Sequence, residues 1–178
     1  MSPTIWIVDA AYLQSYSDGQ IDYFKLKETL QDKVGAHFAE SFYVNATRNP
    51  AADIQDSFHT WLKTAAPQGP KMRVKLYELG STPATCPSCG PPQLVANSAE
   101  SVQVGIATLI VKLAAQWHYD RLVLSARDGA LEEAIAYVKD ELHKEFWLSG
   151  FEGSISSNLQ MYADDVVWLD ELWDHIKK

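Results

Sequence analysis

Apolar positions along the chain recur in two rhythms. The first is a short, nearly continuous run, Thr4-Ile5-Trp6-Ile7-Val8, closed by Asp9. It is β-branched and apolar throughout, which predicts a central strand buried on both faces. Similar segments predict strands over 40–46, 72–79, 121–125, 145–148 and 166–169. The second rhythm is helical. Phe24, Leu26, Leu30 and Val34 fit a helix capped by Asp22 and ended at Gly35. Ile54, Phe58, Trp61 and Leu62 fit a helix over 52–65. Ile106, Leu109, Ile110, Leu113 and Ala114 form the stripe of a longer one over 99–117. Further helices are predicted over 131–142 and 159–162, and from a cap at Asp170 to Ile176.

The punctuation fits this order. A loop is predicted from Ser15 to Gly19, a break at Asn49-Pro50, and a helix stop at Pro67, Gly69 and Pro70. Residues 149–157 read as a Gly/Ser-rich turn region. Gly80 to Ser98 reads as the one long irregular segment, with four prolines around Cys86-Pro87-Ser88-Cys89. Strands alternating with helices imply βαβ crossovers, a mostly parallel sheet and helices on both faces. No linker or internal repeat divides residues 1–178, so one α/β domain is expected.

Charge changes the functional picture more than the fold. The formal net charge is -8 and the pI about 5.0. Such a surface repels nucleic-acid phosphates and disfavours broad, unaided binding to them. It does not exclude a nuclease, because a divalent ion on clustered carboxylates reverses the local field. No apolar run is long enough to span a bilayer, and Met1 to Thr4 lacks a basic leader region. A cytoplasmic protein without membrane attachment is expected. Cys86 and Cys89 resemble half of a zinc ribbon, but zinc takes four ligands and the chain has two cysteines. Zinc at Cys86/Cys89 is therefore not expected. Trp147, Trp168 and Trp173 suit an interface or the core equally.

In an open parallel sheet, ligands bind beyond the carboxyl ends of the strands. Asp9 ends the first strand, Asp128 follows the fourth predicted one, and Asp164 with Asp165 precedes the last. Asp9, Asp128 and Asp164 are the candidate catalytic and metal-holding residues. Carboxylates brought together there repel one another unless protonated, hydrated or bridged by Mg2+ or Mn2+. Each also has a structural reading as a helix cap, turn former or solvated residue. Ser125 suits a cap or a phosphate contact, and Arg127 a phosphate clamp or a neighbour that neutralises Asp128. The five histidines are scattered without metal spacing, and no Walker loop, dinucleotide fingerprint or nucleophile elbow is present.

Four stretches carry a resemblance. They are Ile7-Val8-Asp9-Ala10-Ala11-Tyr12-Leu13, Val102-Gln103-Val104-Gly105-Ile106-Ala107, Leu124-Ser125-Ala126-Arg127-Asp128-Gly129-Ala130-Leu131, and Leu159-Gln160-Met161-Tyr162-Ala163-Asp164-Asp165. Together they resemble the NYN family, a LabA-containing branch of the PIN-like nucleases. The resemblance implies a three-layer, Rossmann-like α/β/α fold and metal-dependent cutting of RNA by aspartates. The match is uneven. Asp9 is kept from the opening D-G-x-N pattern, but Ala10 replaces its glycine and Tyr12 its asparagine. Gln103 stands at an aspartate position. Asp128 survives, while Ala130 and Leu131 replace the second acidic residue and the aromatic of that segment. Asp164 matches the late aspartate.

A carboxylate site stripped of two charges is expected to hold Mg2+ or Mn2+ weakly. Tyr12, Gln103, Ser125 and Arg127 remain candidate substrate contacts. The expectation is a degenerate, non-catalytic or weakly active domain that binds RNA, a protein partner or its own kind. A divalent-metal endoribonuclease and a regulatory subunit unrelated to nucleic acid are the alternatives.

Overall fold

The computed structural model describes residues 3–47, 53–79, 81–84, 88, 90, 93–96 and 100–178. Six strands form one all-parallel sheet: β1 (Thr4–Asp9), β2 (Phe38–Thr47), β3 (Arg73–Glu78), β6 (Arg121–Ser125), β7 (Glu145–Gly150) and β8 (Asp165–Trp168). Between β3 and β6 lie two short antiparallel strands, β4 (Ser81–Ala84) and β5 (Gln93–Ala96). The segment expected to be irregular thus contains a hairpin, hidden from pattern reading by Pro83 and the absence of alternation. Asn49-Pro50, Cys86 and Cys89 lie outside the described residues, so the expectations made for them find no counterpart here.

Seven helices among the described residues complete the α/β fold: α1 (Ala10–Tyr16), α2 (Tyr23–Val34), α3 (Asp53–Lys63), α4 (Glu100–Ala115), α5 (Glu132–Ala136), α6 (Ser157–Tyr162) and α7 (Trp173–Ile176). The sheet order is β3-β2-β1-β6-β7-β8. The chain winds outward from β1 through β2 to β3, then crosses by α4 to β6 on the other side of β1. Right-handed crossovers in opposite directions put α2 and α3 on one face and α4 to α6 on the other. The switch point lies between β1 and β6.

The central strand behaves as its composition demands: all six residues of β1 are buried. Asp22 caps α2, its Oδ1 accepting from the Phe24 and Lys25 N–H groups, and Gly35 closes the helix at φ 67°. Only a left-handed residue makes that turn, which is why glycine stands there. One loop and one cap differ from expectation. The loop expected over 15–19 is shortened because α1 follows directly on Asp9. Asp170 does not cap the closing helix; its Oδ2 accepts from the Glu152 N–H at 2.7 Å and ties the turn after β7 to the end of β8. Trp147, Trp168 and Trp173 pack half-buried against the core, whereas Trp117 is 74% exposed. No helix among the described residues is long and apolar enough to cross a membrane.

Candidate functional site

Asp9 occupies the carboxyl end of β1, at the switch point, and is 4% exposed. Its carboxylate has two jobs within the chain. Oδ1 accepts from the Tyr12 N–H at 3.2 Å, which caps α1. Oδ2 accepts from Gln103 Nε2 at 2.8 Å. The reverse amide orientation would set two acceptors against each other, so the chemistry fixes the donor toward Asp9. Gln103 Oε1 is buried and has no hydrogen-bond partner among the described residues.

α4 also seats closely on the sheet two residues beyond Gln103. A Cβ on Gly105 would lie 2.3 Å from the Tyr77 ring, so glycine lets the helix settle on that β3 side chain. Gln103 sits one half-turn earlier on the same helix.

Asp128 lies just past the carboxyl end of β6, the strand beside β1. It is exposed, and its Oδ1 accepts from the Ala130 N–H at 2.9 Å, capping the short helical turn Gly129–Leu131. Asp9 and Asp128 therefore share one edge of the sheet. Asp164 does not join them. Its Oδ2 accepts from the Phe146 N–H at 2.7 Å, and Lys139 Nζ bridges both carboxylate oxygens at 2.6 and 2.7 Å. Phe146 pairs with Leu122, which pairs with Ile5. Four residues along β1 separate that level from Asp9, about 13 Å at the usual strand rise. The expected trio of Asp9, Asp128 and Asp164 is corrected to two residues at the carboxyl edge and one at the amino edge. A position before a parallel strand leads into its start, not its end. Asp165 is exposed there too, accepting from the Val166 N–H.

Burial alone would raise the Asp164 carboxyl. The Lys139 ammonium and the Phe146 N–H outweigh it and hold the group below the ordinary aspartate value. This is an anchor between β7 and β8.

The other candidates separate cleanly. Ser125 is fully buried between strands: it accepts from Trp6 Nε1 at 2.9 Å and bonds Ser149, so it neither caps nor faces a ligand. Arg127 is exposed and stacks on the Tyr16 ring at 5.1 Å while bonding the Tyr16 hydroxyl. No ion pair joins it to Asp128 among the described residues. Tyr12 is buried. Its hydroxyl accepts from the Phe151 N–H at 2.9 Å and meets Ser154 Oγ at 2.6 Å. Burial raises that hydroxyl above the ordinary tyrosine value, and the two hydrogen bonds offset part of the rise. A Cβ on Gly150 would lie 2.2 Å from the Tyr12 oxygen. The large side chain at this position thus depends on a glycine 138 residues away in sequence, a pairing no single-sequence pattern reveals.

Among the described residues, no group of three or more His, Cys, Asp or Glu side chains converges on a metal-sized space. Each Asp9 oxygen already accepts an N–H, one of them from the residue standing where the resemblance implies a second aspartate. This donor set does not match the clustered aspartates implied for Mg2+ or Mn2+.

No curated protein matches the chain. Among solved structures, a protein of unknown function from Vibrio parahaemolyticus superposes with a TM-score of 0.69 over 96% of this chain and 94% of that one, at 17% identity. The likeness is one of fold. The family model described as "NYN domain" matches residues 4–170, nearly all of the sequence, and the chain therefore belongs to the NYN domain family.

Proposed function

We propose that this chain is a non-catalytic NYN domain that binds a partner, RNA or protein, without cutting it. One observation carries the reading: the Gln103 amide donates to Asp9 at 2.8 Å, where an aspartate would have supplied a second negative oxygen. A carboxylate pair attracts a divalent cation, which is what could position water against a phosphodiester. A carboxylate satisfied by an amide does not need one. The exchange replaces a charge that demands a counter-ion with a hydrogen bond that stabilises the apo fold.

The net charge of -8 favours a protein partner over unaided RNA binding. A competing reading, a metal-dependent endoribonuclease with a reduced site, draws support from Asp9 and Asp128 sharing the carboxyl edge. It would use Asp9 and Asp128 without Asp164.

The deciding experiment incubates the purified chain with single-stranded and structured RNA in Mg2+ and in Mn2+, and follows both cleavage and retention. Intact RNA in every lane is the expected result. Cleavage that is lost in Asp9→Ala would overturn the proposal in favour of the nuclease.

A further inference from the structure

One corner of the amino edge, beside the starts of β2 and β3, gathers cations, although the protein as a whole is acidic. A cavity of about 650 Å³ opens there beside the start of β2, bounded by α2, the end of α3 and the segment entering β3. Lys27, Lys63, Lys71 and Arg73 line it against a single carboxylate, Glu40. Arg73 takes that carboxylate at 2.7 Å. Lys27 Nζ donates to the Pro70 carbonyl at 2.7 Å, which uses one of its three N–H groups. Lys27, Lys63 and Lys71 have no ion-pair partner among the described residues.

Two features show that the charges are held together rather than scattered. Burial lowers the Lys27 ammonium below the ordinary lysine value, and the nearby Lys71 lowers it further. Lys71 itself sits at φ 50°, a left-handed conformation that favours glycine, yet the turn is pinned by the Lys71 N–H on Thr64 O at 2.8 Å and the Met72 N–H on Leu62 O at 2.7 Å. The wall adds an unanswered polar group. Ser41 is 2% exposed, lines the cavity, and its hydroxyl has no partner among the described residues. The backbone over 38–41 also lies ahead of the first β2–β3 pair, Phe42 with Arg73, so it has no strand neighbour on that side.

Cations lacking carboxylates, a buried hydroxyl and open strand backbone are the chemistry of phosphate recognition. Phe38, Met72 and Val74 supply apolar wall for the remainder of a ligand, and the volume suits a molecule larger than a bare anion. We infer that this cavity binds a small phosphate-bearing molecule of nucleotide size, its phosphate held by Lys27 and Lys71 with Ser41 donating a hydrogen bond. The site lies at the edge opposite Asp9, so it stands whether or not the carboxyl edge cuts RNA.

Isothermal titration of the full chain tests this with four probes: AMP, inorganic phosphate, adenosine and an RNA dodecamer without terminal phosphates. The expected result is saturable one-to-one heat with AMP, weaker binding of inorganic phosphate and none of adenosine. Lys27→Met combined with Lys71→Gly should weaken AMP by about tenfold or more, since charge-assisted bonds are the stronger class, and Ser41→Ala by about fivefold. Glycine suits the backbone at position 71, so Lys71→Gly alone keeps the test alive if the double variant misfolds; circular dichroism checks both. Absence of AMP heat at about 1 mM ligand would overturn the inference, as would unchanged affinity in the variants. Equal binding of adenosine, or of inorganic phosphate, would overturn the nucleotide-sized phosphate ligand. Tighter binding of the dodecamer, lost in the same variants, would make the surface a track for a polymer instead.

Discussion

The two edges of the sheet treat charge in opposite ways. At the carboxyl edge, Asp9 is buried and quieted by neutral N–H donors from Tyr12 and Gln103. At the amino edge, Asp164 is partly exposed and quieted by a full positive charge, Lys139, besides the Phe146 N–H. The same residue type caps a helix in one place and anchors a strand in the other. The difference teaches that an aspartate's role follows from which end of a strand it adjoins and what donates to it. Along the chain both are simply acidic residues beside an apolar run.

The largest expected effect probes how tightly the carboxyl edge is closed. Gly150→Ala drives a methyl into the Tyr12 hydroxyl and into Ile155 at 2.8 Å, and should destabilise the protein by about 3 kcal/mol in urea unfolding. Tyr12→Phe in the same chain should recover part of that loss, because the oxygen is the nearer obstacle. A double variant whose loss equals the sum of the singles would show that the two groups do not meet.

Next, Gln103→Leu leaves an Asp9 oxygen buried without its donor, at a cost of about 2 kcal/mol measured by the same method. Gln103→Asp with Ala130→Asp sharpens the comparison from the other side. It places repelling carboxylates at the carboxyl edge, so its melting temperature should fall without metal and rise with Mn2+, by about 2.7 kcal/mol of stability at a hundredfold excess over Kd. The unaltered chain should show no such rise.

Asp164→Asn should cost about 1 kcal/mol at neutral pH by weakening the anchor to Lys139, with the discount that partial exposure demands. The sign of the pH dependence is fixed. A carboxyl lowered on folding contributes stability above the ordinary value of 3.8, and that contribution is lost as pH falls through the lower folded value. The gap between the parent and Asp164→Asn should therefore hold at neutral pH and close in strong acid. A gap that widened on acidification would contradict the Lys139 pairing. The smallest effect belongs to Arg127→Ala, which removes an exposed stacking contact with Tyr16 and should cost about 0.5 kcal/mol.

Much of this architecture is written locally. The run Ile5-Trp6-Ile7-Val8 is apolar on both faces and can only be a central strand, and the Asp22 cap with the Gly35 stop brackets a helix in its own residues. Family membership is likewise legible, because the four motif stretches keep their order along the chain and the family match runs from 4 to 170. Ser125 shows the limit. Its motif neighbours suggested a cap or a ligand contact, but the residue points into the sheet toward Trp6, a contact spanning 119 positions.

What the sequence by itself determined is the set of elements, their alternation and the uncharged residues at positions 103 and 130, since each is a property of neighbouring residues or of residue type. Only the tertiary structure decided that Gln103 donates to Asp9, that Tyr12 depends on Gly150, that Asp164 faces the opposite edge, and that four cations gather at the start of β2. Each of these joins groups far apart in the chain. Their energies depend on distance and burial in space, which linear order does not encode.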